Sequence, residues 1–241
     1  MSNLHSFLQS SKPLPTPVCI SQEIRDRGSI FIANIFRATS EDEARKAVAH
    51  LRNVLHGQRP ASHEMSAWRC MVLKGGKTGL GGPDDFELKY GNEDDGEKYG
   101  SGKIGKVMQT EGIIDAVVVV SRWYGGEMLG PVRFAHIETC AREVCHAFRT
   151  KDETEECVAT LANLDSILAS LRAELAQSKG EATTTDKAAA PAKKKQDYKD
   201  LVDAQDIPRA KRLITARENA IKSVKSSIQK AKEQKLPSAT K

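Results

Sequence analysis

No two of the five cysteines in this 241-residue chain stand as a CxxC pair, and their number is odd. That excludes a disulfide framework and the ligand spacing of a structural zinc site, so Cys19, Cys70, Cys140, Cys145 and Cys157 read as reduced packing residues. Long hydrophobic runs are missing too. Nothing approaches the ~18 apolar residues of a membrane helix, and residues 1–17, with one Lys and with Pro13, Pro15 and Pro17, hold no apolar block of the kind a signal peptide needs. A soluble, cytoplasmic protein is expected. The Asp-x-Asp-x-Asp-Gly order of a calcium loop is absent, and neither His63 nor His136 has a recognisable nucleophile or base beside it. No metal, cofactor or catalytic residue is therefore expected, and the chain reads as a non-enzyme.

Charge is what the chain has in uneven supply. Residues 179–241 hold 16 Lys/Arg against 8 Asp/Glu, a net +8, while the whole chain carries +5, which leaves −3 on residues 1–178. A surface for a polyanion, where there is one, belongs to the tail. The length suits one compact domain with extensions, or two small domains.

Residues 1–17 are polar and proline-bearing and read as a flexible arm. Ser29–Phe36 is a short β-favouring apolar run; Ser40 and Glu43 then form a capping box ahead of Ala44, Ala47, Val48, Leu51 and Leu55 at helical spacing. Ala67–Leu73 predicts a second strand. Lys74–Gly102, rich in glycine and acid, predicts one long loop. Lys103–Gln109 predicts a short helix ending near Gly112, and Ala116–Val120 a strand buried on both faces. Pro131 suits a first helical position, followed by Phe134, Ile137, Ala141, Val144 and Phe148 at three and four. The order β-α-β-loop-α-β-α over residues 18–150 predicts an α+β domain.

Beyond it, Cys157, Leu161, Leu164, Leu168, Leu171 and Leu175 make a heptad seam within a helix over 151–178. This seam must bury on a second seam, on the domain, or on another chain. Residues 179–196 are low-complexity linker with Lys193, Lys194 and Lys195. A basic heptad helix is expected over 197–236, with Pro208 opening its long stretch and Ile214, Ile221, Val224, Ile228 and Ala231 in phase; residues 237–241 should fray. Between Arg209 and Lys235 stand nine Lys/Arg and two Glu. Arg209, Lys211, Arg212, Arg217, Lys222 and Lys225 would contact RNA or another polyphosphate, or be an ordinary solvated face.

The densest chemistry is Arg122-Trp123-Tyr124-Gly125-Gly126-Glu127-Met128-Leu129-Gly130. Gly125-Gly126 lets the backbone turn sharply or approach a neighbour closely, and with the N-terminus of the Pro131 helix it would make an anion nest flanked by Arg122 and Arg133. The alternative for Arg122 is a structural pair with Asp115 or Glu127. Trp123 and Tyr124 would stack on bases or belong to the core. The loop Gly75-Gly76-Lys77-Thr78-Gly79 contains Gly-Lys-Thr but lacks the first glycine and the following helix of a phosphate-binding loop.

Arg122–Gly130 resembles the hallmark of the Impact family: a hydrophobic strand, Arg, two aromatics, Gly-Gly, two variable residues, an aliphatic and Gly. Asp94, Asp95, Gly96 and Glu97 with Gly100, Ser101 and Gly102 resemble its acidic-glycine loop, and His63 with Trp68 its histidine-aromatic element. The resemblance implies a two-layer α+β domain similar to the ribosomal protein S5 domain 2-like fold and to a domain of a translocating elongation factor, here followed by two long helices. It also implies a link to translation and the nutrient-stress response. Eukaryotic relatives compete for the ribosome-associated activator of the starvation-sensing initiation-factor kinase; with about 17 residues ahead of the domain, this sequence reads as a short form without the activator-binding segment. The expected partner is a protein of the translation machinery or of that kinase pathway, with rRNA or another RNA, and coiled-coil self-association, as alternatives. A further alternative is an enzyme using the glycine-rich loop and His63.

Overall fold

The computed structural model describes residues 13–179 and 198–235. Most of the N-terminal arm, the linker with Lys193, Lys194 and Lys195, and the C-terminal residues lie outside that range. The chain divides into two compact units, residues 1–149 and 150–241.

The first unit is built on a six-stranded antiparallel sheet. β1 (Cys19–Ile20) and β2 (Ile24–Asp26) both pair with β3 (Ser29–Arg37), which pairs with β6 (Ala116–Trp123). β6 continues to β4 (His63–Leu73) and β4 to β5 (Phe86–Glu93) at the edge. Central β6 is buried along its length, so alternate residues enter different cores. Val118 and Val120 join Phe31, Met65, Ile137 and Val144 on one face; Val117 and Val119 join Phe36, Trp68, Ala44 and Leu51 on the other. α1 (Glu41–His50) supplies the second core; α2 (Gly100–Thr110) and the start of α3 (Val132–Lys179) supply the first. The α+β class holds, but the two expected layers become three: a strand apolar on both faces needs cover on both.

Local signals are read closely by the backbone. The Ser40 hydroxyl accepts the Glu43 N–H at 3.3 Å, as in a capping box, but the Glu43 carboxylate reaches back to Thr39 rather than to Ser40. After His50 the helix widens into a π turn, Leu51–Leu55. The predicted long loop at Lys74–Gly102 is the main correction, because it contains β5 and the first residues of α2. β5 is mostly exposed and so lacks a clear apolar alternation; backbone pairing with β4, from Ser66↔Glu93 to Leu73↔Phe86, holds it in place. Gly91 lies flat against the Trp68 indole, where any Cβ would overlap the ring. In the Gly75–Gly79 loop the amide pattern is inward: Gly79 and Gly81 N–H donate to the buried Asp85 carboxylate at 3.1 and 2.8 Å. Those amides are not presented to a phosphate.

The second unit pairs helices. α3 is one continuous 48-residue helix with no Gly or Pro, so the predicted separate helix over 151–178 is its continuation. The single helix expected over 197–236 is two, α4 (Lys199–Ala204) and α5 (Ile207–Lys235). Gln205 takes left-handed backbone (φ 49°), and the Asp206 carboxylate then caps α5 by accepting the Arg209 N–H at 3.0 Å. Cys157 and Leu161 pack with Tyr198, Leu201, Ala210 and Ile214, so this part of the heptad seam is covered from within the chain. Ion pairs Glu153–Lys211 (2.6 Å), Asp165–Arg217 (2.6 Å) and Glu174–Lys232 (2.8 Å) advance in the same direction on both helices, which therefore run parallel. Among the described residues no helix is long and apolar enough to cross a membrane.

Both tryptophans, Trp68 and Trp123, lie in the first unit, so their fluorescence follows its unfolding alone. In urea titrations, Gly91→Ala should destabilise that unit by about 1–3 kcal/mol, the scale of an overpacked core. Gly102→Ala, on α2 with nothing within 4 Å of its Cβ position, should stabilise it by about 0.5–1 kcal/mol. Equal effects of the two would contradict the packing described.

Candidate functional site: a cleft around a buried ion triad

Arg122 sits near the end of β6, opposite Phe31 on β3 and His63 on β4. It is only 5% exposed. Its partner is neither Asp115 nor Glu127 but Glu97, 6% exposed, whose Oε2 accepts from Arg122 Nη1. The other oxygen of Glu97 accepts from Arg133 Nε at 2.6 Å, and Arg133 Nη1 donates to the Gly130 carbonyl at 2.6 Å. One carboxylate thus joins β6, the acidic-glycine loop and the start of α3. The Arg122 guanidinium lies 5.5 Å from the Phe31 ring centre and 5.6 Å from that of Tyr124; Arg133 stacks on Phe134 at 4.3 Å. Arg122 Nε is buried and has no hydrogen-bond partner among the described residues, a deficit on the order of 1–3 kcal/mol.

The acidic-glycine loop is structural rather than a solvated cluster. Burial pushes the Asp94 carboxyl up, but hydrogen bonds from the Ser101 hydroxyl and amide and from the Tyr99 amide outweigh it and leave a net downward shift. Asp94 in this way caps α2, whose preceding residue Tyr99 has left-handed backbone. Asp95 pairs with Arg52 at 3.0 Å and accepts the Glu64 N–H at 2.8 Å, and its carbonyl accepts from His63 Nδ1 at 2.9 Å. A carbonyl only accepts, so Nδ1 carries the hydrogen. Gly96 turns the loop at φ 87° over the His63 ring, and Gly100 leaves room for the Met65 sulfur; Gly102 packs against nothing.

The motif separates into buried and displayed parts. Trp123 is tied down: Nε1 donates to the Arg59 carbonyl at 3.0 Å, and the ring meets His56 edge-on at 5.0 Å. Gly125 touches the Gly28 backbone so closely that no side chain fits at either position, and its N–H donates to the Ser29 hydroxyl at 3.2 Å. The Tyr124 N–H is taken by the Ser62 hydroxyl at 3.0 Å. Of the two readings of the glycines, close approach is realised, and the amides of Tyr124 and Gly125 are not available to an anion. Gly126 (φ 90°) and Gly130 (φ 59°) supply turns. Tyr124 and Met128 remain exposed, at 46% and 77%.

Between these parts lies a cavity of about 380 Å³, lined by His63, Glu97, Arg122, Arg133, Tyr124 and Met128 with Leu129 and Gly130. Sequence reading named Arg122, Arg133 and Glu97 but placed Glu97 in a separate cluster, and it missed Met128 and Leu129 as lining. It also missed the neighbouring buried Glu64, held by His56 at 2.7 Å and Arg52 at 3.3 Å. In the tail, Lys211 and Arg217 face carboxylates, while Arg209, Arg212, Lys222 and Lys225 are exposed and in no ion pair among the described residues. The three motif-side cysteines Cys70, Cys140 and Cys145 are buried thiols pushed up by that burial to about 11, 11 and 12, inert as nucleophiles.

Glu97→Gln should cost about 3–5 kcal/mol in the urea unfolding of the first unit, because it leaves a buried guanidinium without counter-charge. Asp95→Asn, at an exposed pair, should cost less than about 1 kcal/mol. The pair His136 Nε2–Asp26 Oδ2 (2.8 Å) gives a pH signature. Hydrogen bonds from Arg27 and then His136 hold the Asp26 carboxyl down at about 2. A lowered carboxyl contributes stability above its unfolded value near ~3.9 and loses it as pH falls through the folded value. Stability should therefore drop between pH ~4 and about 2, less steeply in Asp26→Asn; identical acid limbs would refute this contribution.

Residues 27–145 match the family described as the Impact N-terminal domain. The Protein IMPACT homolog of Saccharomyces cerevisiae is 36% identical over 124 residues, 51% of this chain and 43% of that protein. Protein IMPACT of Danio rerio is 47% identical over 138 residues, 56% of this chain and 39% of that protein. Among solved structures, that of the two-domain translational regulator Yih1 is 31% identical, covers 56% of this chain and 50% of its own, and superposes with a TM-score of 0.34. The chain thus spans about two fifths of the length of these curated relatives. Residues 27–145 are thus an Impact-family domain.

Proposed function

We propose that this chain is a non-enzymatic regulator of translation that docks a protein partner through the cleft of its Impact domain. The observation that carries the reading is the division of the Arg122–Gly130 segment. Arg122, Trp123 and Gly125 are committed to internal contacts, and the two exposed side chains they hold in place, Tyr124 and Met128, stand at the mouth of a cavity. A rigid base presenting an aromatic and a methionine is the anatomy of a protein-binding patch. Both oxygens of the cavity's one carboxylate are engaged by arginines, and no Ser, Thr, Cys or Lys lines the cavity beside His63 to serve as a nucleophile. The link to translation rests on relatives, one of which is described as a translational regulator. A cytoplasmic setting, and a ribosome-associated or stress-kinase-pathway protein as partner, belong to the same proposal and rest on the family resemblance alone.

A second reading, direct RNA binding, is favoured by the exposed Arg209, Arg212, Lys222 and Lys225 on α5. The two separate by mutation. Full chain in low-salt lysate should co-sediment with ribosomal or regulator fractions, and Tyr124→Ala with Met128→Ala should lower recovery about tenfold, as losing two anchors of a small interface does. Unchanged recovery rejects docking at this cleft. Replacing the four α5 cations by Gln should leave that recovery intact; if it abolishes it instead, and lowers the salt slope of RNA affinity by roughly 3–4 units, RNA is the partner.

A further inference from the structure

The triad has unequal charge. Arg122 and Arg133 bring two positive charges and Glu97 one negative, so the cavity retains one net positive charge, with Arg122 buried. The start of α3 adds to it, because the amides of a helix's first turn carry partial positive charge. Arg122, 5% exposed, lines this cavity from within, and its Nε, closed to solvent, has no acceptor among the described residues. Arg133, whose side chain is one quarter exposed, presents the guanidinium of the triad that an incoming carboxylate can reach, and guanidinium–carboxylate pairing is the strong, planar kind.

We propose, resting on the docking reading above, that the cavity is a carboxylate-anchoring pocket. It takes an Asp or Glu side chain, or a chain-terminal carboxylate, of a protein partner, with apolar residues on either side of the anchor. The carboxylate meets Arg133 and neutralises the residual charge. Met128, Leu129 and the Tyr124 ring contact the flanking apolar groups. His63, whose Nδ1–H is held by the Asp95 carbonyl, forms a fixed polar wall of the pocket beside the anchor. A nucleic-acid backbone fits less well: a single residual charge does not match a run of phosphates, and exposed Glu127 and Asp95 stand beside the motif and the His63 wall.

Met128 is one of five methionines and lines the pocket, so a full chain labelled with ¹³C at methionine methyls reports the site directly, its signal identified by Met128→Leu. Titration with acetyl-Leu-Glu-Leu-amide should shift the Met128 methyl saturably with a Kd of about 1–10 mM, the range of one charged anchor. Acetyl-Leu-Gln-Leu-amide should bind at least about tenfold more weakly, and Arg133→Gln should weaken the Glu peptide by about the same factor, the loss of one charged hydrogen bond. Inorganic phosphate and oligouridylate serve as the other arms. Equal binding of the Glu and Gln peptides, no saturable shift up to ~20 mM, or preference for phosphate or oligouridylate overturns the proposal. Because this readout needs no cellular partner, it can fail while the co-sedimentation of the preceding section succeeds, which would leave docking in place without a carboxylate anchor.

Discussion

Glu97 is the joint on which the cleft of the first unit depends. A carboxylate and a guanidinium leave water together only when each satisfies the other, and the penalty for removing one partner far exceeds the net worth of the pair. Here a single carboxylate answers to arginines from two elements, the end of β6 and the start of α3, and is itself delivered by the loop that opens α2. The position of each element is therefore conditional on the other two. The displayed side chains Tyr124 and Met128 inherit that rigidity without taking part in it.

The same logic repeats beside the triad with other residues. Asp94 is consumed in capping α2, Asp95 in bridging to Arg52 and the β4 backbone, and Glu64 in holding His56 and Arg52. His56 in turn meets Trp123. What looks in the sequence like an acidic patch is a set of local hydrogen-bond acceptors, each with a donor at its address. This leaves the cleft, rather than the loop, as the place with unanswered chemistry.

Much of the sheet and its covering helices was legible, and the reasons differ by element. β6 declared itself as five β-branched or small apolar residues in a row, α1 by its cap and its 3–4 spacing, and the seam from Cys157 by its heptads. β5 was invisible because an exposed edge strand is held by backbone pairing, which leaves no periodic trace in side chains. The Arg122–Glu97 pair was hidden for another reason: the residues are 25 apart, and nothing local marks which of seven nearby acidic residues in 84–97 turns inward. The arginines and the acidic loop were both identified, but their meeting is a property of strand order. In the tail, composition predicted a basic surface, and the structure divides it into cations facing α3 carboxylates and cations facing outward.

The contact between Gly28 and Gly125 bears on what a signature can mean. Two backbones touch there with no space for any side chain, so the glycine in the middle of the most recognisable stretch of the chain is demanded by the seating of the β2–β3 hairpin, whatever the protein binds. Much of the diagnostic power of Arg122–Gly130 is in this sense architectural: it reports how a scaffold closes. In the docking proposed above, the information about partners lies in the residues that such a pattern leaves free to vary, among them Met128, so that two chains sharing the signature would differ in allegiance by a single exposed side chain.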